Sequence, residues 1–326
     1  YFKDNSKMEY LIRESNQDDK NIISNFNKEL MDHGFSFKLS HPSDKNFQKD
    51  NFIFEQKFIL LENKTIVRAG YTLKSQWFKI NEELLQIGYY YNPVTAGLFN
   101  KKYNICGVML LHDAQKKYTN LFCLGMGGYS KTLPKLLKGL NWKLQTVPFF
   151  FKVCNIYPFL KNIQYLKSSK IKSFIIMLMA NTGIGWLFVK FFLLLNSLFH
   201  ISFKKKIYCL VQEVGEFEKD FDSVWENAKQ HKAFAAVRNS KYLNMLYSEK
   251  RFIKLKFFDN NKIVGWSVSL CTQLNNHKQF GQMKLGSIVD CLSLKGYETF
   301  IVDKTAEMLK KKDVDLIVSN QSHIFW

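Results

Sequence analysis

The chain opens on "MEYLIRES", in which apolar and polar residues alternate as they do in a strand with one buried face. "NQDDKNIISNFNKELMDHG" then predicts a helix. Ile22, Phe26 and Leu30 recur at helical spacing, Asp18 or Asp19 stands at the N-terminus, and Gly34 supplies a stop. From Asn51 to Val94 three antiparallel strands are predicted. They are separated by turn signals at Glu62-Asn63 and Asn81-Glu82, and the third ends near Asn92-Pro93 because proline cannot continue a ladder. Ile105, Val108, Met109, Leu111 and Ala114 predict a second amphipathic helix. "NLFCLGM" reads as a strand, "GGYSKTLPKLLKGLNWKL" as a loop and a helix with Pro134 in its first turn, and "QTVPFFFKV" as the strand that closes the first domain.

From Ile207 much the same order returns. "AFAAVRNSKYLNMLYS" is helical in part, and "FIKLKFFDNNKIVGWSVSL" is a hairpin turning at Asn260-Asn261. "GQMKLGSIVDCLSL" is a strand, "YETFIVDKTAEMLKKK" a helix ending in lysines, and "DVDLIVSNQSH" a strand. Between the halves, residues 173–203 carry one formal charge, Lys190. This segment reads as two short helices lying in a membrane interface, with flanking lysines on anionic headgroups. Burial between the domains and a true span are the alternatives. The expected division is 1–160, a linker or interface segment 161–206, and 207–326.

Composition sharpens this only in places. Six cysteines form no CxxC and no zinc spacing, so no metal site is predicted and a reducing compartment is favoured. Thirty Phe and fifteen Tyr promise large buried area. The net charge of +19 suits an anionic partner (a nucleotide cofactor, a nucleic acid or a membrane surface), or else reflects lysines that merely solvate the surface. The N-terminal stretch has no signal-peptide core.

The stretch "FNKKYNICGVMLLHDAQ" lies between the predicted third strand of the hairpin series and "NLFCLGM". A helix start presents unsatisfied N–H groups and partial positive charge, and holds a pyrophosphate where the backbone can come close. The stretch and the element order around it resemble the Gcn5-related N-acetyltransferase (GNAT) superfamily, whose signature is Q/R-x-x-G-x-G/A at the helix after the fourth strand. The resemblance covers the whole chain, as two such domains in tandem. The fold class it implies is α/β (α+β), each domain a mixed, mostly antiparallel sheet flanked by helices.

On this sequence the signature falls on Lys101, Lys102, Tyr103, Asn104, Ile105 and Cys106, followed by Gly107, the implied cofactor-binding residues. Lys101 stands for Gln or Arg. Asn104 takes the first glycine's place as the next most tolerant residue for positive φ, and Cys106 the small-residue place. "LLKGLNWKL" resembles the family's Y-x-K-x-G-F helix end, with Asn141 and Trp142 for Gly and Phe, and Leu137 where a catalytic Tyr often lies. Tyr129 becomes the nearest candidate acid. The fourth strand offers Tyr90 and Asn92, beside Tyr89 and Tyr91, but no carboxylate base. In the second domain, degenerate or truncated by this comparison, Asp290 is a candidate to hold an acceptor amine or hydroxyl, and Arg238 and Tyr242 to meet an anionic acceptor.

The resemblance thus implies an acyltransferase using acetyl-CoA or another acyl-CoA. The tandem layout implies an amino sugar or lipid-linked precursor of surface polysaccharide as acceptor. The implied location is cytoplasmic, with peripheral contact on the inner membrane face through 173–203. One alternative is a Fem-like transferase fed by aminoacyl-tRNA, and another is a non-catalytic protein that binds a glycan or membrane.

Overall fold

The computed structural model describes residues 9–42, 54–125, 128–164, 167, 169–183, 185, 187, 191, 195 and 209–321. The chain divides into two units, Tyr1–Gln145 with Lys232–Val237, and Thr146–His231 with Arg238–Trp326.

In the first unit β1 (Tyr10–Glu14) pairs antiparallel with β2 (Phe54–Glu62), β2 with β3 (Ile66–Ile80), and β3 with β4 (Glu83–Thr95). The turns fall where Asn63, Lys64 and Asn81 adopt positive φ, as the turn signals predicted. β4 then pairs in parallel with β5, which is only Leu121–Phe122. Helix α1 (Lys20–Asp32) follows a capping box in which Asn16 and Asp19 satisfy each other's backbone, and Arg13 pairs with both oxygens of Asp19 at 2.7 Å. It ends at Gly34, whose φ is +82°.

Helix α2 (Ile105–Lys117) forms where predicted, but turned. Cys106, Leu110, Leu111 and Ala114 enter the core, while Ile105 and Val108 of the expected stripe are exposed. The run is apolar on more than one face, so periodicity alone did not choose the face. Ile23, Phe26 and Leu30 of α1 join the α2 residues in one core with Phe58, Tyr71, Leu73 and Tyr90 of the sheet. Each such fully buried side chain contributes about 1.5–3 kcal/mol. Helix α3 (Thr132–Gly139) ends in a turn whose Asn141 has φ +61°, with Trp142 N–H bonded to the Leu137 carbonyl.

The second unit has the strand order β6 (Phe149–Val153), β12 (Leu316–Asn320), β11 (Lys284–Ser293), β10 (Lys262–Gln273), β9 (Ile253–Asp259), β7 (Leu210–Val214). Only β11 and β12 run parallel. Helices α6 (Asp222–Gln230) and α8 (Glu298–Lys311) cover it through Val224, which packs with Phe221 and Trp266, and through Ile301 and Leu309. The order β1-α1-β2-β3-β4-α2-β5 therefore recurs as β7-α6-β9-β10-β11-α8-β12, as the element order predicted. Helix α4 (Ile156–Asn162), α5 (Lys170–Asn181) and α7 (Ser240–Leu246) are additions in this unit.

Two strands depart from expectation. "QTVPFFFKV" was predicted to close the first domain, yet its β6 pairs antiparallel with β12, from Leu316↔Val153 to Asn320↔Phe149. Conversely, the stretch expected to be helical in part is helical at α7 but opens with β8 (Phe234–Ala236), which adds to the first sheet against Phe78–Ile80 of β3. There it continues the edge that β2 leaves at Ser75. A short apolar run says that it will pair but not with which sheet. The segment 173–203 is described only in part: α5 covers its beginning, and most of 184–203 lies outside the described residues. No described helix is long and apolar enough to cross a membrane.

Candidate active site

The site is built around the end of β4. Thr72 of β3 lies opposite Tyr91 and Gly70 opposite Val94, so β4 carries one extra residue between them. This bulge at Asn92-Pro93 lets the strand run on to Thr95 rather than end at the proline. Asn92 accommodates it with φ +48°, and its side-chain amide donates to the Lys38 carbonyl at 2.8 Å. On the other edge, β4 meets β5 only at Gly88↔Leu121 and Tyr89↔Phe122. A Cβ on Gly88 would lie 2.7 Å from Leu121 Cδ2, so glycine permits this approach. Beyond that pair the ladder stops. From Tyr90 to Thr95 that edge of β4 has no strand beside it among the described residues.

The chain leaves β4 through two 3-10 turns, Ala96–Leu98 and Lys101–Tyr103. Asn100 caps the second, its side-chain oxygen accepting from the Lys102 N–H at 3.0 Å. Tyr103 is buried and donates to Glu62 Oε2 at 3.2 Å. Arg68 Nε donates to the same oxygen at 2.7 Å, with its guanidinium 4.6 Å from the Tyr103 ring centre. Lys102 Nζ lies 3.9 Å from Glu62 Oε1. Burial opposes ionisation of Glu62, but its bonds to Arg68 and Tyr103 and the Lys102 charge outweigh it. The carboxyl therefore titrates below its ordinary range.

The first N–H groups of α2, on Ile105, Cys106 and Gly107, have no carbonyl a turn earlier within that helix. Cys106 points its thiol into the core, where burial raises its pKa to about 11, which marks a packing group rather than a nucleophile. A Cβ on Gly107 would meet only Leu136 Cδ2 at 3.6 Å and Thr95 Cγ2 at 4.0 Å. The backbone there is thus open to a ligand. Lys101, Lys102 and Asn104 are exposed around it. These residues fit a pyrophosphate.

One expectation fails. Asn104 has φ −57° and is helical, so it does not replace a glycine in a left-handed turn. The close approach falls earlier, at Gly97, where a Cβ would sit 3.0 Å from the Tyr103 carbonyl oxygen.

The catalytic candidates differ in their surroundings. Tyr90 is 1% exposed, its ring centre 5.1 Å from that of Tyr71, and burial pushes its phenol far up. It is a core residue and cannot meet a substrate. Tyr129 is 57% exposed on the loop before α3. Asp290 sits on β11, where Val268↔Asp290 is followed by Ser269↔Ile288, so this strand also bulges. Its Oδ2 accepts from Arg238 Nε at 2.5 Å and from the Tyr247 hydroxyl at 2.8 Å. Arg238 is thus engaged by Asp290, and Tyr242 is buried. In α8 the first turn carries its own anion: Glu298 accepts from Gly296 N–H at 2.7 Å. That carboxylate disfavours a phosphate there, in contrast to α2.

No protein-family model matches the chain, and no curated protein matches it. Solved structures do. Saccharomyces cerevisiae N-myristoyltransferase with bound myristoyl-CoA superposes with a TM-score of 0.51 at 8% identity, over 95% of this chain and 72% of that one. The fold of this chain is thus similar to that of an acyltransferase. A probable N-acyltransferase from Enterococcus faecalis V583 matches with a TM-score of 0.50 at 8% identity, over 96% of this chain and 65% of that one. A GCN5-related glucosamine N-acetyltransferase region of a fungal multi-domain GH3 β-N-acetylglucosaminidase matches with 0.51 at 11%, over 98% and 36%.

Several contributors to this candidate site escaped the sequence reading. Asn100 carried a signal, an Asn just before a helical turn. Gly88, Gly97 and the pair Glu62 and Arg68 carried none, because each acts on a residue distant in sequence or on a close approach that no spacing encodes.

Proposed function

We propose that this chain transfers an acyl group from an acyl-CoA to an amine. The observation that carries the reading is the unpaired edge of β4 beyond Tyr89, leading to the open, lysine-flanked start of α2. When bound, the acyl-CoA supplies a thioester carbonyl and a thiolate leaving group. The N–H groups of Ile105, Cys106 and Gly107, with Lys101 and Lys102, would hold its pyrophosphate. The backbone of β4 from Tyr90 to Thr95 would bind the amide-rich arm as a further strand would. Asn92, at the bulge, positions that backbone. Tyr129, on the loop before α3, would return a proton to the thiolate. Positioning carries much of the rate, since an amine needs only to lose a proton to attack a thioester.

We further propose acetyl as the acyl group and an amino sugar or lipid-linked precursor of surface polysaccharide as acceptor. That reading draws on the tandem layout and on the fungal glucosamine N-acetyltransferase among the neighbours. Calorimetric titration with acetyl-CoA and longer acyl-CoAs, beside Lys101→Ala, tests the reading. Binding near one equivalent, weakened about fivefold in the variant, is expected from the loss of one exposed charge at a helix start. No heat with any acyl-CoA would overturn it. Binding of tRNA with steep salt dependence would then favour the Fem-like alternative.

A further inference from the structure

We propose that the second unit docks on an anionic membrane surface through α5, and that the apolar cavity lined by α4 and β6 takes one lipid tail. Helix α5 inverts the usual arrangement. Ile171, Phe174, Ile175 and Leu178 stand at positions i, i+3, i+4 and i+7, one face of the helix, and that face points outward. Ile171 is 74% exposed and Phe174 63%. A contiguous exposed apolar stripe on a soluble unit marks a surface that something covers.

The charge pattern says what covers it. From Thr146 to Gln212, all within the second unit, the chain carries nine lysines and not one Asp or Glu. Nine of the nineteen net positive charges therefore fall in this one stretch of the second unit. Evenly distributed lysine enrichment would not empty such a stretch of acids. A protein partner would have to present hydrophobic and acidic groups together over the same area, whereas an anionic bilayer presents both everywhere. Among the described lysines, Lys152 and Lys161 are exposed on β6 and α4, in the same unit as the stripe. At twelve residues α5 is about 18 Å long, well short of a bilayer's hydrocarbon core, so it suits lying on the surface rather than crossing.

Helix α4 packs against α5. It supplies Phe159, and the residue just after it is Ile163; with Phe149, Phe151 and Phe280 these line a cavity of about 410 Å³. Gln279 is the one polar residue in its lining among the described residues. Phe149 and Phe151 are exposed at it. Such a lining accepts a hydrocarbon chain and offers almost nothing to a polar ligand.

The test is co-sedimentation with phosphatidylcholine vesicles, with and without phosphatidylglycerol. The protein should pellet with the anionic vesicles, less so as salt rises. Ile171→Glu with Phe174→Glu should weaken this at least tenfold while thermal unfolding stays unchanged, because both positions are exposed. Tryptophan at position 151, introduced as Phe151→Trp, should be quenched by lipids brominated in their tails, beyond the quenching of the unaltered protein. Equal binding by the double variant, or no preference for anionic vesicles, would overturn the docking. A wild-type dimer that the variant turns into monomer, with vesicle binding unchanged, would assign the stripe to a second copy instead. An unquenched tryptophan in vesicle-bound protein would overturn the cavity's part. None of these outcomes depends on the transferase reading, which the acyl-CoA titration tests separately.

Discussion

Glu62 is the residue on which the candidate site leans. It is almost fully buried and joins Arg68 of β3 to Tyr103 and Lys102, which lead into α2. Removing it leaves the half-buried Arg68 guanidinium without its closest partner, and Glu62→Gln is expected to cost about 1–3 kcal/mol in urea unfolding at neutral pH. The folded-state pKa of Glu62 lies below its unfolded value. Its contribution is therefore fully present above the unfolded pKa and is lost as pH falls through the folded one. The stability gap between wild type and Glu62→Gln should accordingly close as pH is lowered through the acid range. A gap that stays constant would mean the carboxylate charge is not what stabilises. None of this was visible in the chain as text, where Glu62 reads as half of a turn signal. Its partners are brought to it by the β2–β3 hairpin and the start of α2.

At the scale of the element, the loop before α2 was legible in place but not in mechanism. The helix was found from periodicity, and the lysines and Gly107 from the resemblance to the superfamily signature. The conformation was misjudged, since Asn104 is helical and the cap belongs to Asn100. The two assignments separate by mutation. Asn100→Ala should cost about 1 kcal/mol, the worth of an N-cap. Asn104→Gly, a change toward the superfamily signature, should destabilise by about 0.3 kcal/mol, because glycine loses somewhat more backbone entropy than asparagine on becoming helical. A stabilising Asn104→Gly in thermal melts would restore the left-handed reading. The apolar face of α2 was misjudged for a related reason. With Ile105, Cys106, Val108, Met109, Leu110 and Leu111 nearly consecutive, several stripes fit the pattern, and only the sheet beneath selects one.

At the scale of the molecule, the doubled element order was legible because each half repeats its own periodicities. The exchange of strands was not, because β6 and β8 carry no mark of their sheet. The exchange makes a division at residue 160 costly. A fragment 207–326 lacks β6 and leaves an edge of β12 bare, whereas 146–326 keeps the six-stranded sheet. The longer fragment should stay soluble and give a cooperative melt, and the shorter one should aggregate or melt at least 10 °C lower, by the rough conversion of a few kcal/mol into melting temperature. Equal behaviour of the two would show that β6 contributes little. The exchange also bears on synthesis. A nascent chain that has completed β3 and β4 must hold the Phe78–Ile80 edge open until Phe234–Ala236 emerges, and Phe149–Val153 must wait for β12, the last strand described. Neither sheet can be sealed first and left behind, so the growing polypeptide spends much of its translation with apolar edges uncovered, the interval in which a chaperone would matter most.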